Sequence, residues 1–242
     1  MRNVIPEMNG DWRGYWGTRD WPETCLLGQV GQTGRDQFLS AGELRRYSAG
    51  QVLIREGGCD EFVLVLLSGM AKAVAAAFEG RDVLLAVRMG GDLVGELAAI
   101  DRRPRSATVI ACGSVVAAWI PGDKFRRCLE RDSSAAMAVA AAIADKLRVS
   151  NDYRTDFAGC DATTRMARAL YYLSVEHGTR HGRNTAVQLK VTQSEIATLC
   201  GVADPTGHRV LRRFFADQVI ATGYGVIEIR DLERLRKVAY GK

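Results

Sequence analysis

From Tyr47 to Ile120 the chain alternates short apolar runs with glycine-bearing turns, at Gly50, Gly57, Gly58, Gly69, Gly80, Gly90, Gly91, Gly95 and Gly113. That rhythm predicts short strands after Tyr47, then over Glu61–Leu67, Gly69–Phe78, Val83–Arg88, Ala107–Ala111 and Ser114–Ile120, closing as an antiparallel barrel. Ala73 to Ala77 favours helix by propensity, so the strand there rests on the rhythm alone. Before the strands, Thr24 to Tyr47 reads as short helices with Leu26, Leu27, Val30, Phe38, Leu39 and Leu44 inward. After them, Pro121-Gly122-Asp123 ends the barrel, and Asp123 suits the cap of a short turn carrying Phe125 and Leu129.

Ser133 or Ser134 then caps a long helix running to about Phe157. Its apolar residues form two stripes. Val139 and Ile143 lie on one; Met137, Ala140, Ala141, Ala144 and Leu147 lie on the other. One stripe packs on the barrel, and the alanine-rich one is left free. Small side chains let helices approach closely, so that stripe predicts a parallel, coiled-coil-like seam in a homodimer.

Beyond it, Gly159 suits a helix end and Asp161 the next N-cap, which marks a hinge. A helix over Arg165–Glu176 buries Met166, Leu170, Tyr171 and Leu173. A polar loop, His177 to Asn184, leads to a strand at Val187–Val191. Thr192 with Glu195 makes a capping box. Ile196, Ala197 and Leu199 give that helix a buried face, and Gly201 turns into a second helix, Asp204 to Asp217. There Val210, Leu211 and Phe214 point inward while His208, Arg209, Arg212 and Arg213 take outward faces. Two strands around Gly223-Tyr224-Gly225 and a last helix from Asp231 complete a winged helix-turn-helix.

Composition narrows the class. At 242 residues, 47% hydrophobic and 25% charged, the chain can bury a sizeable core in one large or two small domains. From Cys160 to Lys242 stand 13 Lys and Arg against 8 Asp and Glu, so the net charge of +5 is concentrated there. A basic C-terminal module fits a nucleic-acid partner. The six cysteines show no CxxC pair, and with three dispersed histidines no metal-site spacing appears. With no long apolar run and no leader-like start, the expectation is a reduced, cytoplasmic protein with no membrane partner. Residues Met1 to Pro22 hold three of the four tryptophans (Trp12, Trp16, Trp21), which suits packing against the body.

The chemistry concentrates between Gly90 and Ala111. Gly95 permits a backbone turn that a Cβ obstructs. The turn from Glu96 to Ile100 directs free N–H groups at whatever sits above it. Arg105 supplies a planar, permanent charge suited to phosphate, and Ser106 a hydroxyl. Glu96 repels phosphate but accepts from a sugar hydroxyl. An anion, a sugar hydroxyl and an apolar surround together describe a cyclic nucleotide.

Gly95-Glu96-Leu97-Ala98 followed by Pro104-Arg105-Ser106-Ala107-Thr108 resembles the phosphate-binding cassette of cyclic-nucleotide-binding domains. With the long helix and the winged helix-turn-helix, the whole is similar to the CRP/FNR transcriptional regulators. The resemblance implies an α+β fold. It comprises an N-terminal extension (1–22), a double-stranded β-helix or jelly-roll barrel (23–132), a dimerisation helix (133–158) and a winged helix-turn-helix (159–242). It implies that Glu96 bonds the ribose and that Arg105 and Ser106 hold the phosphate of cAMP or another cyclic nucleotide. Gly95, Leu97 and Ala98 shape the same loop. Through Lys146-Leu147-Arg148-Val149 it also places Ser150 and Asn151 at the family's base-contacting pair.

On the DNA side the family's early Arg-Glu pair is replaced here by Asp204-Pro205, while Arg209 matches the later arginine. Pro205 fits the first helical turn but reads no base. Thr206, His208, Arg209 and Arg212 are the candidates for base or phosphate contact, with guanine most natural for Arg209. Lys190, Thr192 and Gln193 suit phosphates. The implied partners are double-stranded DNA, the nucleotide, a second copy and RNA polymerase; no cofactor is required. Alternatives are DNA binding without a nucleotide or with another effector, and a nucleotide sensor acting on a protein partner. No nucleophile–base pair or metal cluster stands out, so an enzyme is not expected.

Overall fold

The computed structural model describes residues 12–77, 80, 82–177, 180–181, 186–223 and 225–241. Its contacts divide the chain into two compact units, residues 1–75 with 88–146, and residues 76–87 with 147–242.

The first unit is led in by α1 (Trp12–Gly17), α2 (Leu26–Gln29) and α3 (Gln32–Ala41). Strands β1 (Glu43–Tyr47), β2 (Val52–Ile54), β3 (Phe62–Ser68), β4 (Met70–Ala76), β5 (Asp82–Met89) and β6 (Leu93–Val94) follow. After α4 (Glu96–Asp101) come β7 (Thr108–Ala111), β8 (Val115–Pro121), α5 (Gly122–Arg131) and α6 (Ser133–Gly159), whose residues 147–159 count with the second unit. Two four-stranded sheets result, ordered β1-β8-β3-β6 and β2-β7-β4-β5, the expected jelly roll. Strands β3 and β8 are buried on both faces. Leu64, Leu66, Val115 and Ala117 fill the space between the sheets. Val63, Val65, Leu67, Val116, Ala118 and Ile120 face outward into a helical layer.

That layer contains the N-terminal segment. Trp12, Trp16 and Trp21 are buried with Phe38, Phe125 and Val139 in one cluster. Trp16 and Trp21 stack 6.0 Å apart, and Arg19 lies 4.8 Å from the Trp21 ring. Arg13 ties α1 down by donating to Leu39 O and Gly42 O. The tryptophans thus belong to the core.

Four local expectations change. Leu44 lies in a strand, β1, because Gly42 ends α3 and residues 43–47 pair with β8 from Glu43↔Trp119 to Tyr47↔Val115. Asp123 caps nothing; Pro121 holds the N-cap of α5, and the Asp123 carboxylate instead pairs with Arg127 one turn on. The cap of α6 is Asp132, whose carboxylate accepts from Ser134 N, Ser134 Oγ and Ala135 N, a stronger acceptor set than a serine hydroxyl offers. Tyr171 is half-buried, while Met166, Leu170 and Leu173 are fully inward.

The two stripes of α6 separate as expected: Ala135, Ala138 and Val139 are buried, whereas Met137 and Leu147 are 69% and 60% exposed. In the second unit α7 (Ala162–His177) starts at Asp161, whose carboxylate accepts from Thr164 N at 2.7 Å. Strands β9 (Arg180–His181), β10 (Ala186–Leu189), β11 (Ile220–Gly223) and β12 (Val226–Ile229) form one sheet around α8 (Gln193–Leu199), α9 (Asp204–Ala216) and α10 (Leu232–Tyr240). Most of the predicted loop from His177 to Asn184, and Tyr224 in the wing turn, lie outside the described residues. Residues 76–87 count with this unit, where Leu84 N donates to Thr198 Oγ1 at 3.1 Å.

Candidate functional site

In the first unit Gly95 sits in the left-handed region (φ 85°), and a Cβ there would stand 2.7 Å from Arg105 Nη1. The glycine is required twice, by its dihedral and by the guanidinium against it. Arg105 is 4% exposed. Its Nη1 donates to Gly95 O and its Nη2 to Phe62 O, both at 2.8 Å, and the guanidinium lies 4.6 Å from the Phe62 ring. Its backbone N donates to Gly58 O, and its own carbonyl accepts from Gly57 N, each at 2.9 Å. Its Nε is buried and has no partner among the described residues. Burial pulls the guanidinium below its ordinary value, and the carboxylates of Asp60, Glu96 and Glu61 oppose that pull.

Glu96 is also buried, at 5% exposed, and opens α4. Its Oε1 accepts from Lys146 Nζ at 2.8 Å, and the same ammonium donates to Leu93 O at 2.7 Å. Burial lowers the Lys146 pKa, and the Glu96 carboxylate works against that. Lys146 carries no sequence signal for this role; fifty residues separate it from Glu96, and only the packing of α6 brings it there. Ala98 is buried at the same turn, and Leu97 and Ser106 are exposed. Arg105 is thus bonded to the half-buried Gly95, next to the buried Glu96, with Ala98 buried on the same helical turn. Ser150 and Asn151 count with the second unit, and both are exposed on α6.

The helix-turn-helix forms as expected. Thr192 Oγ1 accepts from Glu195 N at 3.2 Å, and Glu195 Oε2 accepts from Thr192 N at 2.8 Å. Helices α8 and α9 meet closely, since a Cβ on Gly207 would lie 2.7 Å from that of Ala197. Val210, Leu211 and Phe214 are buried. Lys190, Thr192, Arg209 and Arg212 are exposed; Gln193, Thr206 and His208 are half-buried. Arg212 Nε reaches His208 O at 3.4 Å, a weak bond that leaves its other donors outward. Asp204 and Pro205 occupy the first turn of α9.

Known proteins share both halves. A family model for the cyclic nucleotide-binding domain matches residues 44–132, and one for the Crp-like helix-turn-helix domain matches residues 164–238. A CRP-like cAMP-activated global transcriptional regulator of Mycobacterium tuberculosis is 28% identical over 193 residues, covering 80% of this chain and 86% of that protein. The cAMP-activated global transcriptional regulator CRP of Escherichia coli is 27% identical over 189 residues, covering 78% of this chain and 89% of its own. A solved CRP/FNR-family regulator from Thermus thermophilus superposes with a TM-score of 0.67 at 25% identity, over 81% of this chain and 98% of its own. The c-di-GMP-responsive global regulator CLP of Xanthomonas campestris shares the fold with a TM-score of 0.69 at 22% identity, over 82% of this chain and 99% of its own.

Proposed function

The chain belongs to the CRP/FNR family of DNA-binding transcriptional regulators, and from that premise we propose that it is a homodimer whose DNA affinity is set by a cyclic nucleotide, cAMP first, bound at the cassette. The observation that carries this reading is Arg105. A guanidinium buried to 4% exposure with an unpartnered Nε is costly in an apolar barrel, and an anion at that place repays the cost.

In this reading Arg105 and Ser106 hold the cyclic phosphate, and Glu96 takes the ribose hydroxyl. Gly95, Leu97 and Ala98 form the turn over it, and Ser150 and Asn151 meet the base. The exposed stripe of α6 (Met137, Ala140, Ala141, Ala144, Leu147) joins two copies. The two copies of α9 then enter successive major grooves about 34–36 Å apart, with Arg209, Thr206, His208 and Arg212 at the bases and phosphates. Lys190, Thr192 and Gln193 anchor the backbone. The nucleotide acts only as far as it binds the DNA-competent arrangement more tightly than the other.

One observation favours a second reading, DNA binding without a nucleotide: Lys146 already occupies Glu96 as a ligand hydroxyl would. Calorimetric titration of the full chain with cAMP and cGMP, paired with gel shifts, separates the two. The first reading expects saturable heat with the parent, none with Arg105→Ala, and tighter DNA binding once nucleotide is present. DNA binding indifferent to both nucleotides, and lost in Lys146→Ala, supports the second.

A further inference from the structure

A cleft of about 330 Å³ opens within the second unit, walled by the last turns of α6, the middle of α7 and the end of α10. It shares no residue with the cassette or with the outward face of α9. Its walls are aromatic. Tyr153 and Tyr172 meet edge to face at 6.5 Å, and Tyr240 lies across from them on α10. Its polar end holds two carboxylates, Asp152 and Asp156, and one guanidinium, Arg168. That guanidinium is already committed. Arg168 donates to Asp156 and, through Nε, to Ala239 O at 2.9 Å, and lies 5.3 Å from the Tyr240 ring. Asp152 pairs with no cation among the described residues; burial raises the pKa of the Tyr240 hydroxyl, Arg168 opposes that, and Asp156 and, least of all, Asp152 add to it.

The cleft therefore carries one negative charge in excess, beside rings whose faces attract cations. Its volume lies at the small end of ligand pockets, which run from about 300 to 1,000 Å³. We propose that this cleft binds a small organic cation, a protonated amine on a compact apolar body. The ammonium stands at Asp152, and the body lies against Tyr153, Tyr172 and Tyr240. An anion of the same shape meets the uncompensated carboxylate, and a neutral one loses the charged hydrogen bond. Because α6, α7 and α10 each supply a wall, an occupant braces the end of the long helix against the helices behind the DNA-reading pair. It changes DNA affinity by whatever preference it has for one arrangement of them.

Three probes of matched shape test this on the full-length protein by ligand-observed NMR titration: phenethylammonium, 2-phenylethanol and phenylacetate. The expected result is saturable binding of phenethylammonium, about tenfold or more weaker binding of the alcohol, and no binding of phenylacetate. Asp152→Asn, a near-isosteric change at an exposed position, should bring the ammonium down to the level of the alcohol. Val149→Phe, which fills the cleft, should abolish both. Equal affinity for all three probes, indifference to Asp152→Asn, or no saturable binding of phenethylammonium overturns the proposal. None of these outcomes touches the nucleotide reading, because Arg105 and Glu96 take no part in the cleft.

Discussion

The cassette and the outward surface of the helix-turn-helix both carry positive side chains, and they treat them in opposite ways. Arg105 is buried, bonded to two carbonyls and stacked on Phe62. Lys146 is bonded to a carbonyl and a carboxylate. Arg209 and Lys190 are exposed, and Arg212 keeps only a weak contact to its own helix. A buried charge must be satisfied before the chain folds, so the same groups that suit a ligand also hold the barrel together. A surface charge is solvated in either state and is free to be selected for its partner alone.

The largest expected effect follows from that contrast. Arg105→Ala should cost about 2–4 kcal/mol of folding stability, because the Gly95 and Phe62 carbonyls lose charged donors at once. It should also remove nucleotide binding. Urea unfolding of variant and parent checks it; a difference below about 0.5 kcal/mol, the usual scatter of surface changes, would show that the arginine serves the ligand only.

Arg209→Ala should do the reverse. DNA affinity is expected to fall by about 10- to 100-fold, with stability unchanged within about 0.5 kcal/mol. Fluorescence anisotropy at two salt concentrations, beside a thermal melt, reads both. A melt shifted by several degrees with DNA affinity intact would erase the distinction between the two regions.

Thr192→Ala lies between the extremes, since its hydroxyl caps α8 and also faces outward. Losing the capping box should cost about 1 kcal/mol, with Thr192→Ser recovering most of it. If Ala and Ser variants melt alike, the cap contributes nothing measurable.

The smallest effect asks whether burial, rather than the module, makes the difference. Cys59 is exposed in the first unit, whereas Cys200 is buried in the second and its thiol is pushed up to about 12. Only the thiolate reacts, and burial holds Cys200 in the thiol form at pH 8. Native alkylation followed by mass spectrometry should label Cys59 readily and leave Cys200 untouched until the protein is unfolded.

Much of this was legible along the chain. The glycine rhythm marks the strands, the small-residue stripe leaves one side of α6 free, and Thr192 with Glu195 starts α8, because each depends on residues a few positions apart. Even Ala73 to Ala76, helix formers by propensity, lie in β4, where pairing with β7 from Ala71↔Ala111 to Val74↔Thr108 overrides local preference. Glu96 and Arg105, chosen as residue types at fixed spacing, are both buried beside Gly95, whereas Ser106 is exposed, and their part in holding a ligand belongs to the proposal.

Tertiary structure alone decided the rest. Leu44 became part of a strand because β8 was there to pair with it, and the tryptophans joined the core because α3, α5 and α6 leave a face to cover. Lys146 meets Glu96, and three tyrosines with Asp152 surround a cleft, only once distant helices pack. Local sequence sets which bonds a segment makes with itself; which buried charge finds which partner depends on contacts whose separation along the chain carries no pattern.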